Sequence, residues 1–281
     1  MSTPDHRQTA FPHRRQRLDG SASNALAAIE AAVGVYAVNP SGPLSILARA
    51  PMATAASVLA LERDGLVVRG RAMRSSAFVL PADVAPLVWA ATAQPLARFG
   101  WMLKAAGVSP GGFEAARSAL VAAAAEPRTA RELRGAACLD GVDVSRFVSY
   151  LALRGDLTVL GALSVTSNVS RYVAREPGPT GAAVPASARD RAPAQAWLAG
   201  AYLRSFGPAR AEDLAWWAGI TRADATAALA AHETVEVEPG LLLHARDLPE
   251  YEATPPLPGA LVLAPKWDAL TMGYPLDGRA R

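Results

Sequence analysis

The chain has 281 residues, 51% hydrophobic and 19% charged, and a mean hydropathy of +0.14; this excludes wholesale disorder and leaves room for more than one folded unit. The formal charge of +3 is uneven, with 19 basic and 12 acidic residues through Arg175 and 9 against 13 afterwards, so the leading part is the candidate partner of a polyanion. A single cysteine, Cys138, excludes an internal disulfide, and four histidines (His6, His13, His232, His244) offer no metal-ligand spacing, so no metal and no cofactor is expected.

The apolar stretches Leu44–Leu61 and Ala77–Ala97 are interrupted by charge or proline, and the N-terminus lacks the apolar core of a secretion signal. A soluble cytoplasmic protein without membrane contact is expected. Phosphate-loop, dinucleotide and serine-elbow motifs are absent from the sequence.

Taken in chain order, period and punctuation predict helices followed by a β-hairpin, three times over. The first copy has a helix from Asn24 to Val33 with Ser23 as cap, a short helix at Leu44–Arg49, a helix at Thr54–Arg63, and strands Leu66–Arg69 and Ala77–Leu80. Pro81–Ala106 reads as two connecting helices whose Trp89 and Trp101 belong to an inter-domain core. In the second copy a helix at Gly112–Ala125 precedes Thr129-Ala-Arg-Glu132, which has capping-box spacing. A helix packing Cys138, a helix from Asp143 to Leu153, and strands Leu157–Leu160 and Arg171–Ala174 follow. In the third copy a helix at Ala194–Ser205 leads to Ala211–Ala218, a helix from Thr221, and strands Thr234–Glu238 and Leu241–Ala245. Trp216 and Trp217 read as core; Arg246–Pro258 reads as irregular and Ala260–Leu263 as the start of a strand.

The expected fold class is therefore mostly α with small β-hairpins (α+β), built as three tandem winged helix-turn-helix units. The expected boundaries are winged helix 1 over 20–82, connecting helices over 83–109, winged helix 2 over 110–178, a linker over 179–193, winged helix 3 over 194–246 and a partial C-terminal segment over 247–281. A winged helix sets its last helix in the major groove and its wing arginines on phosphate. Double-stranded DNA is the expected partner, with Arg63, Arg69, Arg71, Arg74, Arg131, Arg134, Arg146 and Arg171 as DNA-binding candidates. Of the 28 basic residues only Lys104 and Lys266 are lysine, and guanidinium recognises phosphate bidentately.

The third copy carries Tyr202-Leu203, Phe206-Gly207-Pro208-Ala209, Asp213, Ala215, Trp217 and Gly219, followed by Pro265-Lys-Trp-Asp268 and Gly273-Tyr274. The first carries Val33-Gly34-Val35 and, across its wing, Arg69, Met73, Arg74 and Pro81. Over residues 25 to 275 these features resemble the AlkZ/YcaQ-like winged-helix family, which includes DNA glycosylases that remove bulky N7-alkylated purines and unhook interstrand crosslinks. The resemblance implies a catalytic loop after Val35, where family glycosylases place Gln-x-Gln or Gln-x-Asp. Here the loop reads Tyr36-Ala37-Val38-Asn39, so Val38 replaces a polar residue. Arg71 stands where the family often has tryptophan and Phe78 where it often has histidine, and against the family the C-terminus is expected to be shortened.

An N7-alkylated purine is already a cationic leaving group, so the protein needs only to orient water and stabilise a developing sugar cation. An amide or carboxylate does this and a valine does not. Three functions stay open from sequence: a DNA-binding descendant with weak or lost excision, an active glycosylase positioning water with Tyr36 or Asn39, and a winged-helix transcriptional regulator or interaction module.

Overall fold

A computed structural model of the chain describes residues 5–38, 40–175, 188–257 and 262–275. They fold as helices with three small antiparallel sheets, in two compact units: residues 1–92 together with 186–281, and residues 93–185.

The first unit opens with α1 (His6–Arg15), capped by Asp5 accepting from the Arg7 amide. Local period does not predict this helix: Pro12 lies inside it, and only Ala10, Phe11 and Pro12 of its ten residues are buried. α2 (Ala25–Ala31) is capped by Asn24 rather than Ser23. β1 (Val35–Tyr36), α3 (Ser41–Arg49) and α4 (Ala55–Arg63) follow. Thr54 and Ser57 satisfy each other's amides at the start of α4. β2 (Val67–Arg71) and β3 (Ala77–Pro81) form the hairpin around a 3-10 turn at Met73–Ser75, and β1 pairs with β3 to complete a sheet ordered β1-β3-β2. α5 (Ala85–Thr92) packs on the same core.

The second unit starts with a 3-10 turn at Leu96–Phe99 and α6 (Gly100–Ala105). Only Met102 of α6 is buried; Trp101, expected in a core, is 62% exposed because a six-residue helix turns one face inward. α7 (Phe113–Ala123), β4 (Arg128–Thr129), α8 (Ala130–Ala137), α9 (Val144–Arg154), β5 (Leu157–Leu160) and β6 (Arg171–Ala174) complete it, with sheet order β4-β6-β5. The Thr129–Glu132 capping box forms as its spacing predicts, at 2.8 and 3.2 Å. Cys138 is not packed within α8: the helix ends at Ala137, and the cysteine is exposed as its left-handed cap. Leu120, Leu133, Phe147, Val148 and Leu151 make the core.

The chain returns to the first unit with α10 (Ala188–Phe206), α11 (Ala211–Ala218), α12 (Arg222–Leu229), β7 (Thr234–Glu238) and β8 (Leu241–His244). α10 takes in residues 188–193 of the expected linker; residues 179–187 lie outside the described residues. Arg246–Pro258 is not wholly irregular, since Ala245–Asp247 forms a 3-10 turn and α13 (Leu248–Glu252) starts with proline in its first turn, where no amide donor is needed. The expected strand at Ala260–Leu263 begins outside the described residues. Tyr202 stacks on Phe206 and Trp217 tilts against both, in a core that also takes Phe78 and Leu80 of the first hairpin. The first and third copies therefore share one hydrophobic interior.

Candidate nucleic-acid and base-excision site

Antiparallel pairing sets Val35 opposite Val79 and Tyr36 opposite Phe78, which brings the two aromatic rings within 4.5 Å. Tyr36 is 8% exposed, a core side chain that carries a hydroxyl. The loop then turns sharply into α3. The Gly42 amide bonds to the Val38 carbonyl at 2.8 Å, and a Cβ at Gly42 would collide with the Tyr36 carbonyl oxygen. Val38 is 40% exposed. Asn39 lies outside the described residues.

The wing supplies the partner of Tyr36. Arg74, at the hairpin tip, donates from Nη2 to the Tyr36 hydroxyl at 2.6 Å and places its guanidinium 3.9 Å from the Trp216 ring centroid. Its backbone is left-handed (φ 52°) and packs on Gly219, the left-handed cap of α11 (φ 73°), where an added Cβ would sit 2.9 Å from Arg74 Cα and N. Arg69 flanks the loop from the other side, paired to Glu62 at 3.0 Å with a longer contact of 3.4 Å to the Ala37 carbonyl. The hairpin thus brings together Tyr36, Arg69 and Arg74 from the sequence-predicted residues.

Sequence reasoning missed the anchor beneath this loop. Arg49 and Asp268 are both fully buried and joined by two hydrogen bonds of 2.7 and 3.0 Å. Asp268 also accepts from the Ser45 hydroxyl at 2.6 Å and the Leu270 amide at 2.9 Å, while Arg49 reaches Gln16 Oε1 at 2.9 Å. Burial acts to raise the Asp268 carboxyl; the hydrogen bonds and charge of Arg49, with Ser45 and Leu270, outweigh it and hold the group below the ordinary carboxylate value. The sequence carries the signal only as Asp268 in Pro265-Lys-Trp-Asp268 and Arg49 at the end of an apolar helix. Only the fold pairs residues 219 apart. Next to Asp268, Trp267 lies 28° from parallel to Tyr36 with centroids 6.5 Å apart.

The other nominated arginines divide by their partners. Arg63 is exposed and paired to its neighbour Asp64, and Arg71 donates to the Ser75 carbonyl across the wing. In the second unit Arg131 and Arg134 are exposed on α8. Arg146 contacts Asp143 and the Ala105 carbonyl, and Arg171 donates to the Gly161 carbonyl. Arg131 lines a cleft of about 590 Å³ with Thr129, Glu132, Ser145, Ser149 and Tyr172, between α8, the outer face of α9 and the hairpin. Among the described residues no group of three His, Cys, Asp or Glu could hold a metal, and no helix is long and apolar enough to cross a membrane.

No curated protein matches the sequence. Among solved structures, the DNA glycosylase AlkZ of Streptomyces sahachiroi is similar, with a TM-score of 0.68 and 21% identity over 97% of this chain and 78% of that one. At that identity the likeness speaks for the fold. The family described as DNA glycosylase AlkZ-like matches residues 26–276, a span that includes the Tyr36 loop, the wing and the Asp268 segment. With nearly all of its length inside that match, the chain belongs to the AlkZ-like DNA glycosylase family.

Proposed function

We propose that this chain is a DNA-binding member of its family that engages double-stranded DNA carrying alkylated purines and excises the base weakly or not at all. One observation carries the reading. Of the two positions that in family glycosylases orient water, one holds a buried phenol bonded to Arg74 and the other an exposed valine. Water activation needs a polar group free to hold a nucleophile near the sugar, and a positioned oxyanion or carboxylate to stabilise the developing cation. A hydroxyl already accepting from a guanidinium supports neither task well. The exposed Arg63, Arg131 and Arg134 support phosphate contact, and winged-helix use of the hairpin units supports groove binding. Cytoplasmic action on the chromosome fits this reading.

The test is incubation with duplex DNA bearing an N7-alkylguanine, scored for abasic sites beside a binding titration. The expected result is binding without appreciable base release, and release appearing when Tyr36→Gln and Val38→Gln are introduced together. Robust release by the natural chain would overturn the proposal. A second reading has one observation in its favour, the short Arg74–Tyr36 hydrogen bond, which holds a hydroxyl at the loop. It requires base release that is lost in Tyr36→Phe while DNA affinity is unchanged.

A further inference from the structure

Trp267 is 38% exposed, yet it sits beside one of the most firmly held residues of the chain. The Asp268 carboxylate accepts four hydrogen bonds from three partners, Arg49, Ser45 and the Leu270 amide, and its own amide closes a turn onto the Pro265 carbonyl at 3.0 Å. The indole is therefore presented from a rigid turn, and burial does not explain its position. Behind it lies Tyr36, 28° from parallel, and Lys266 Nζ sits 4.9 Å from the indole centroid. Val38 and Leu44 on the neighbouring loop and helix are also exposed, at 40% and 46%.

A fixed flat aromatic surface with a displaceable ammonium over its ring matches the chemistry of a nucleotide: a π face for the base and a cation for its phosphate. Pre-ordering of the ring removes the entropy cost of forming such a surface on binding. A base within an intact duplex has both faces covered by its neighbours, so the surface suits a base that has left the stack.

We propose that Trp267, backed by Tyr36, is a stacking ledge for one unpaired nucleobase, with Lys266 contacting the adjacent phosphate. The inference deepens the proposed function and rests on the chain binding DNA. On contact, the base takes the indole face and Lys266 swings from the ring to the phosphate oxygen.

The experiment compares affinity for a fully paired duplex and for the same duplex with a single bulged 2-aminopurine, using the full chain, Trp267→Ala and Trp267→Phe, each checked by thermal melting. The natural chain should prefer the bulge. Trp267→Ala should lose about 5- to 150-fold on the bulged duplex, the range that stacking of about 1–3 kcal/mol per base converts to, and less than about twofold on the paired one. Trp267→Phe should keep most of the preference. The probe's fluorescence should be quenched by the natural chain and Trp267→Phe and stay bright with Trp267→Ala. Equal losses on both duplexes, or none, would overturn the ledge while leaving DNA binding intact. Failure of the natural chain to bind either duplex would overturn both.

Discussion

Replacing Asp268 by asparagine tests the anchor under the candidate site. The change keeps the shape but removes the charge that faces Arg49 and turns one acceptor into a donor. Asp268 receives two bonds from Arg49, at 2.7 and 3.0 Å, one from Ser45 and one from a backbone amide, with both side chains of the ion pair fully buried. Breaking a buried pair from one side costs about 3–5 kcal/mol, because the remaining charge is left in an apolar interior. Urea unfolding followed by tryptophan fluorescence and circular dichroism should show a loss of that size, and Asp268→Leu combined with Arg49→Met should be less damaged than Asp268→Asn alone. The acid limb gives a second reading. The folded carboxyl lies below its ordinary 3.8, so its stabilisation is present above about pH 4 and is lost as pH falls through the folded value. The gap between the natural chain and Asp268→Asn should therefore close in acid. A loss under about 1 kcal/mol at neutral pH would refute the anchor.

Gly219→Ala forces a side chain onto a left-handed position and into the Arg74 backbone, and should cost about 1–3 kcal/mol in a thermal melt while altering Trp216 emission. His244 is held below its ordinary 6.5 by burial first, opposed by its bond to the Gly200 carbonyl and by the Asp247 charge and assisted by His232 and Arg246. Its contribution to stability is present above about pH 6.5 and is lost as pH falls through the folded value; His244→Gln should flatten the melting temperature between about pH 7 and 5. DNA affinity should fall steeply with salt, and Arg131→Ala or Arg134→Ala should each reduce the log–log slope by about 1; a flat dependence in the natural chain would remove phosphate contact from the account.

Local signals carried most of the architecture. Capping pairs such as Thr129–Glu132 act within one turn and short hairpins are set by alternation, so those elements were legible in residue order. The Tyr36 loop was marked as a candidate site only by its resemblance to family glycosylases, with Val38 where that resemblance implies a polar residue. Three things were not. The Arg49–Asp268 pair and the docking of Arg74 on Trp216 join distant segments, which no local period encodes. Exposure of Trp101 and Cys138 depends on where a helix ends and which face it turns, and composition favoured burial for both. Helix α1 gains its stability from long-range packing, Phe11 against Tyr251 and Gln16 onto the Ser205 carbonyl, which a proline-bearing basic segment does not advertise.

The unit that holds Tyr36 draws its residues from both ends of the chain, with residues 93–185 interposed. During vectorial synthesis, Arg49 leaves the ribosome 219 residues before its counter-ion, an interval on the order of 10–40 s at ordinary elongation rates. The interposed unit has its own apolar interior and can finish folding in that time. Until that counter-ion emerges, the leading hairpin, its loop and the Arg49 guanidinium lack the partners that complete their interior, so this unit closes only after the later segment is made.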